Sequence, residues 1–279
     1  MSAEPSAAPL ASFEAKWSEA YPEFGLALKF VRGSARDEHS AFACLVFELE
    51  HAAFGIREAQ PAAIKLQWWA EEFARVGKNE ARHPLTQVLV SRIRASAIGA
   101  TQWQHVVAGA MVQRDPEPAA ERAALLEGYA RLYEPVGAID AALFGTNADA
   151  VASALGLTRA LRETAALPSV MRDGTLPLPL DLLARHRLAR GDLANASRAR
   201  SAALREWFES LAAGLFAEVD GEAARGLGVV RASMTAANAR RASQASRASE
   251  PLGAIQPSLA SLSVPTVWSA WRAARRSPA

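Results

Sequence analysis

Apolar residues recur along this chain at the spacing of a helix, and nowhere with the alternation of a strand. Phe42, Leu45, Val46, Leu49, Ala53 and Ile56 fall on one stripe and predict an amphipathic helix over 42–56 with a single core-facing side. A second helix is predicted from Pro61, which suits a first turn, through Ile64, Trp68, Trp69, Phe73 and Val76 to Gly77. His83-Pro84 opens a third, carrying Leu85, Val88, Leu89 and Ile93, and Thr101 is placed to cap a fourth with Trp103, Val106, Val107 and Met111. Asp115-Pro116-Glu117-Pro118 interrupts the chain before a fifth, with Leu125, Tyr129, Leu132 and Tyr133, in which Pro135 is expected to kink or divide the helix. Residues 148–167 form the next, stopped by Pro168, and a short helix covers 179–185. The stretch 198–219 is long, with Leu204, Phe208, Leu211, Leu215 and Val219 on one side; 222–241 is predicted as another helix, the Ser/Ala/Arg run to Glu250 is ambiguous, and 264–274 adds a last turn or two. Helices joined by short turns predict an all-α bundle, one domain over 12–279 with a central cavity as an option, behind an Ala/Ser/Pro-rich leader, residues 1–11, that is expected to be disordered.

Half of the 279 residues are hydrophobic and 22% are charged, which is enough to bury a sizeable core and far from a disordered composition. The single cysteine, Cys44, excludes an intramolecular disulfide and reads as a small core residue. No uninterrupted apolar run approaches the ~20 residues that cross a bilayer, and the N-terminus lacks the basic and apolar regions of a signal peptide. The expected location is the cytoplasm, with peripheral contact to a membrane as the one qualification. Net charge is only +2 but uneven: from Arg225 onward eight arginines meet one acid, Glu250. That basic segment suits phosphates, lipid head groups or an acidic partner, or simply a solvated surface. No nucleic-acid-binding module accompanies it, so no nucleic-acid partner is expected. Trp268 and Trp271 stand three apart beside Arg272, Arg275 and Arg276, an end suited to a membrane surface or a protein partner, though short for an interfacial helix. There is no Gly-x-Ser-x-Gly, no Walker A motif and no Cys/His zinc spacing, which removes hydrolase and nucleotide-binding readings.

Three segments in order carry a resemblance. Arg36 precedes the 42–56 helix; Ile64-Lys65-Leu66-Gln67-Trp68-Trp69-Ala70-Glu71-Glu72-Phe73 is followed by Gly77 and His83-Pro84-Leu85; and Leu155-Gly156 is followed by Gly174-Thr175-Leu176-Pro177-Leu178-Pro179-Leu180-Asp181-Leu182-Leu183-Ala184-Arg185-His186. Together, over roughly residues 20–190, they resemble the squalene/phytoene synthase family, and the resemblance implies the all-α isoprenoid synthase fold. It also implies a chemistry: head-to-head joining of two allylic diphosphates, with two acidic motifs on facing helices holding magnesium against the departing diphosphate. Here the first motif falls on Glu50-His51-Ala52-Ala53-Phe54, so one carboxylate remains and its i+4 partner is phenylalanine. The second falls at 165–170, which contains no acid; Glu163 is the nearest and sits at i+4 from Arg159. The tyrosine of the family's Tyr-Leu-Pro is Pro177. Phe47-Glu48-Leu49-Glu50 is similar to a branch with degraded acidic motifs that resembles a respiratory complex I assembly factor.

Two functions follow as expectations. The first is a catalytically degenerate relative, without cofactor, that binds an isoprenoid or lipid ligand or assembles with a protein partner. Its candidate cavity residues are Glu48, Glu50, Arg36, Arg159, Arg162 and Glu163, the arginines replacing lost metals as donors to a phosphate. The alternative is an active prenyltransferase using Glu48, Glu50 and Glu163 as a minimal Mg2+ site. His51 beside Glu48 and Glu50 is a weaker metal candidate, lacking a second histidine at i+4, and Lys29, Arg32 and Arg36 form a basic cluster before the first core helix.

Overall fold

Capping chemistry and two close glycine contacts set the frame of the computed structural model, which describes residues 7–31, 33, 35–96, 98–172, 174–220 and 223–277. Among the described residues there is no strand. The helices are α1 (Ala7–Ala20), α2 (Pro22–Ala27), α3 (Ala35–Glu50), α4 (Ala59–Gly77), α5 (Pro84–Ala95), α6 (Ala100–Val112), α7 (Arg122–Phe144) and α8 (Ala148–Ala165). They continue with α9 (Leu167–Val170), α10 (Leu180–Arg185), α11 (Arg198–Val219), α12 (Ala223–Gly226), α13 (Gly228–Ala245), α14 (Pro251–Leu259) and α15 (Val264–Arg276). The helices α6, α7, α8, α11, α13 and α15 each pack on the next in that order, while α4 backs onto α6, α3 onto α5 and α2 onto α13. The apolar core is continuous from Leu10 to Ala273.

Side chains start several of these helices by satisfying orphan amides: Asn147 accepts from Ala150 N at 2.9 Å for α8, and Ser197 from Arg200 N at 3.1 Å for α11. Glu72, fully buried on α4, accepts from Arg82 N and His83 N at 2.8 Å and from Thr86 Oγ1 at 2.6 Å, so the acid after the paired tryptophans fixes where His83-Pro84 starts α5. Gly145 closes α7 in the left-handed region at φ 70°. A Cβ on Gly109 would lie 2.2 Å from the Arg131 carbonyl oxygen, and one on Gly137 2.3 Å from that of Ala148, so the absence of a side chain sets how tightly α7 meets α6 and α8.

The structure departs from the sequence reading at several boundaries. The leader expected through residue 11 gives way to α1 from Ala7, because Leu10 and Trp17 are buried and Trp17 packs on Phe47 at 5.4 Å; residues 1–6 lie outside the described residues. The first core helix starts earlier, at Ala35, and beyond Glu50 widens into a π turn over His51–Gly55. Gly99, not Thr101, caps α6, with Gln102 reaching back to its amide at 3.0 Å. α7 runs through Pro135 undivided. The helix expected over 222–241 is two, since Gly228 at φ 66° turns the chain between α12 and α13; Glu222 lies outside the described residues. α13 continues to Ala245, into the run to Glu250 that is ambiguous in sequence, and α14 follows at Pro251–Leu259, where no helix is predicted.

Candidate functional site

The acids at or near the positions that the resemblance gives to the acidic motifs sit at the end of α3 and late on α8, and each is committed to a cation or a phenol. Glu48 is buried and turned toward α1 and α4: it pairs with Lys16, with Lys65 Nζ at 2.7 Å, and accepts from Trp17 Nε1 at 3.2 Å. Burial works against its charge, but the two lysines outweigh burial and hold its carboxyl below the usual carboxylate range. Glu50 accepts from Tyr133 Oη at 2.7 Å. Glu163 accepts from Tyr129 Oη at 2.5 Å and from Arg159 at 2.7 and 3.0 Å. Burial, and then the adjacent carboxylates, push both tyrosines well above the ordinary phenol range, so each stays a donor.

Two arginines fill the space between these acids. Arg159 lies with its guanidinium carbon 3.8 Å from the centroid of Phe54, the residue at which the resemblance places the first motif's i+4 carboxylate. Arg162 lies 4.0 Å from the centroid of Tyr21 and pairs with Glu23, which also holds Arg241 Nη1 at 2.7 Å. Desolvation opposes the Glu23 charge, and Arg162 and Arg241 together overcome it and hold that carboxyl below its ordinary range. Arg36 is not brought to this cluster; it forks onto Glu14 of α1 at 2.8 and 3.0 Å and touches Asp37 at 3.3 Å, tying α1 to the start of α3. Lys29 is exposed, and Arg32 lies outside the described residues. His51 is exposed beside Trp17. Among the described residues no three His, Cys, Asp or Glu side chains converge on one point. Because Glu50 and Glu163 are already engaged by Tyr133, Tyr129 and Arg159, they do not present the open hard oxygens that the magnesium implied by the resemblance needs.

Two cavities adjoin the cluster. One, lined by Tyr21, Phe47, Glu50, Thr158, Arg159, Arg162, Arg231 and Met234, has about 20 Å³, little more than one water needs. The other has about 640 Å³, inside the range of small-molecule sites. Its walls are the π turn (Ala53, Phe54) and the residues after it (Ile56, Arg57), the 112–120 connection, the start of α7 and Leu176, with Tyr129 and Glu163 among its lining residues. Arg114 holds the π turn in place, donating to the carbonyls of Ala53 at 3.1 Å, Ile56 at 2.5 Å and Arg57 at 3.0 Å. A guanidinium thus satisfies the carbonyls that the widened helix end leaves without partners.

Sequence reading missed this second cavity and the phenols. Tyr129 and Tyr133 repeat on the core stripe of α7, and nothing local distinguishes a tyrosine that holds a carboxylate from one that packs. Asp115-Pro116-Glu117-Pro118 was legible only as a helix break, although a rigid connection between helices is also where a cavity wall is commonly built.

The frame and the paired helices define a class, the all-α isoprenoid synthase fold. A crystal structure of a dehydrosqualene synthase in complex with ligand matches with a TM-score of 0.69 at 13% identity, covering 96% of either chain. Squalene synthase HpnC from Alicyclobacillus acidocaldarius matches with a TM-score of 0.58 at 14% identity, covering 90% of this chain and 92% of that one. No curated protein matches the chain. The family model for squalene/phytoene synthase matches residues 18–255, and the chain belongs to that family.

Proposed function

We propose that this chain is a catalytically degenerate squalene/phytoene synthase relative that binds an isoprenoid or other lipid-like ligand without ionising it, and works without a metal cofactor. The observation that carries the reading is the occupation of the metal position: Phe54 replaces a carboxylate, Arg159 lies on its ring, and Glu50 and Glu163 are engaged by Tyr133, Tyr129 and that same arginine. Ionising an allylic diphosphate requires charge that is free to meet the leaving group. A guanidinium already paired and stacked contributes far less than two hydrated metal ions. The 640 Å³ cavity supports binding, because apolar Phe54, Leu125 and Leu176 face one volume with Arg57, Arg114 and Arg131, a mixed wall suited to an amphipathic molecule.

The test is incubation with farnesyl and geranylgeranyl diphosphate, with and without Mg2+, following free pyrophosphate and extracted lipids, alongside native mass spectrometry of the protein. The expected result is no pyrophosphate and a retained ligand that Ala124→Trp, which fills the large cavity from a half-exposed position, displaces. Magnesium-dependent pyrophosphate release would overturn the reading in favour of an active prenyltransferase. Neither turnover nor retained ligand would replace ligand binding by a role in assembly with a protein partner.

A further inference from the structure

Helix α15 is amphipathic in the wrong sense for a surface helix of a globular protein. Thr266, Ala270, Ala273 and Ser277 form its buried stripe, so small residues face α13 and the rest of the bundle. Val264, Trp268, Trp271 and Arg275 repeat at the same spacing two positions out of phase, which places them on the opposite side of the helix. Val264 is 83% exposed and Trp268 57%, and exposed Leu262 precedes the helix. Val264 and Trp268 therefore point to solvent, where they gain nothing from the core, and half-buried Trp271 lies beside them.

The chemistry around the stripe selects what covers it. Trp268 and Trp271 lie 4.8 Å apart, and the Arg275 guanidinium carbon is 5.1 Å from the Trp271 centroid. Arg272 and Arg276 flank the stripe, and Arg272 has no acidic partner among the described residues. Asp220, 3.8 Å from Arg276, is the acid paired with this helix among the described residues. Apolar and indole side chains beside arginines, with almost no opposing charge, match an anionic bilayer surface: indoles settle at head-group depth, the aliphatic end reaches the acyl boundary and the arginines meet phosphates. No described helix is long and apolar enough to cross a membrane, so contact through this face would be from one side only.

We propose that the α15 face, Leu262, Val264, Trp268 and Trp271 with Arg272, Arg275 and Arg276, docks the protein on an anionic phospholipid membrane. This is independent of what the large cavity holds. The experiment is sedimentation of the full chain with vesicles of phosphatidylcholine alone and of phosphatidylcholine with phosphatidylglycerol in equal parts, at low and high salt. The protein is expected to pellet with the anionic vesicles and to be released by salt, which screens exposed charge. Trp268→Ala removes an exposed ring, leaves the fold intact and should lower partitioning by about ten-fold, as for one aromatic side chain withdrawn from an apolar phase. Arg272→Gln should lower it by about five-fold, the worth of one basic residue at such a surface. Equal binding to both vesicle types, no binding to either, or binding unchanged in Trp268→Ala would overturn the proposal. So would a salt-insensitive dimer that Trp268→Ala dissociates, since the stripe would then cover a second copy of the chain.

Discussion

Removing the carboxylate of Glu23 should unfold this protein far more readily than its place on a six-residue helix suggests. Glu23 and Arg241 have no solvent exposure, and Arg162 is 16% exposed, so one carboxylate answers two guanidinium groups inside the bundle. In Glu23→Ala, Arg162 can turn outward. Arg241 cannot; it keeps Asn238 Oδ1 at 3.1 Å and the Ser261 carbonyl at 2.8 Å, but loses its counter-charge. Leaving one member of a buried pair uncompensated costs about 3–5 kcal/mol. At about 2 °C per kcal/mol for a chain of this size, the melting temperature should fall by about 6–10 °C. Thermal and urea unfolding followed by circular dichroism measure this. The double variant Glu23→Leu/Arg241→Met, which removes the charge pair and keeps its volume, should recover most of the loss. The sign with pH also follows. Because the folded carboxyl titrates below its ordinary range, its contribution is complete above the unfolded pKa and disappears as pH falls through the folded one. The gap between parent and Glu23→Ala should therefore narrow on acidification. A Glu23→Ala protein within about 1 kcal/mol of the parent, or a double variant no better than the single, would refute a network that depends on mutual charge compensation.

Three further outcomes are expected. His39, stacked on Phe144 at 4.1 Å, is held to a pKa of about 4 by burial and then by Arg92, with Glu38 opposing and Arg231 adding to the depression. Stability should fall as pH drops from the ordinary value of 6.5 toward 4, where the unfolded chain takes up the proton first, and His39→Gln should flatten that slope in acid-dependent urea melts. Burial pushes the Cys44 thiol up to about 12, so thiol reagents at neutral pH should label it only through opening of the fold, at a rate that rises steeply once urea passes the unfolding midpoint. Gly137→Ala should destabilise by about 1–3 kcal/mol, its methyl meeting the fixed Ala148 carbonyl, whereas Gly128→Ala on the same helix, with open space around it, should stabilise by up to about 1 kcal/mol; thermal melts of the two variants separate crowding from propensity.

How much of this was legible in the sequence depends on the distance over which each feature is built. The stripes of α3, α4 and α11 are local periodicities, and their core faces were readable because one amphipathic turn predicts the next. α1 and α14 were hidden: Ala/Ser/Pro composition resembles a tail or linker until Trp17 meets Phe47, or Ile255 enters the core. The Arg159–Glu163 pair was visible as i, i+4 spacing. The partners of Glu48, Glu50 and Glu23, namely Lys16, Lys65, Tyr133 and Arg241, come from 17 to 218 residues away and carry no local mark. Sequence could thus say that acids were missing, but not that the remaining ones had been taken up by other groups.

That difference bears on the proposed absence of metal chemistry. Losing carboxylates alone would leave a cavity with fewer metal ligands and its remaining acids open to a cation. In this chain arginines and tyrosines hold that space: Arg159 joins Phe54 of the π turn to Glu163 of α8, Tyr129 and Tyr133 join both acids to α7, and Glu23 joins α2 to α8 and α13 through Arg162 and Arg241. Each group links elements far apart in sequence, and each is buried enough that removing one member strands another. A metal ion can enter and leave with a substrate, whereas these links persist for as long as the protein is folded. Restoring carboxylates at Phe54 alone would therefore add a buried charge beside Arg159 without freeing Glu50 or Glu163. On the proposed reading, metal chemistry at this place would require several concerted changes, because the groups between α3 and α8 are part of what holds the bundle together.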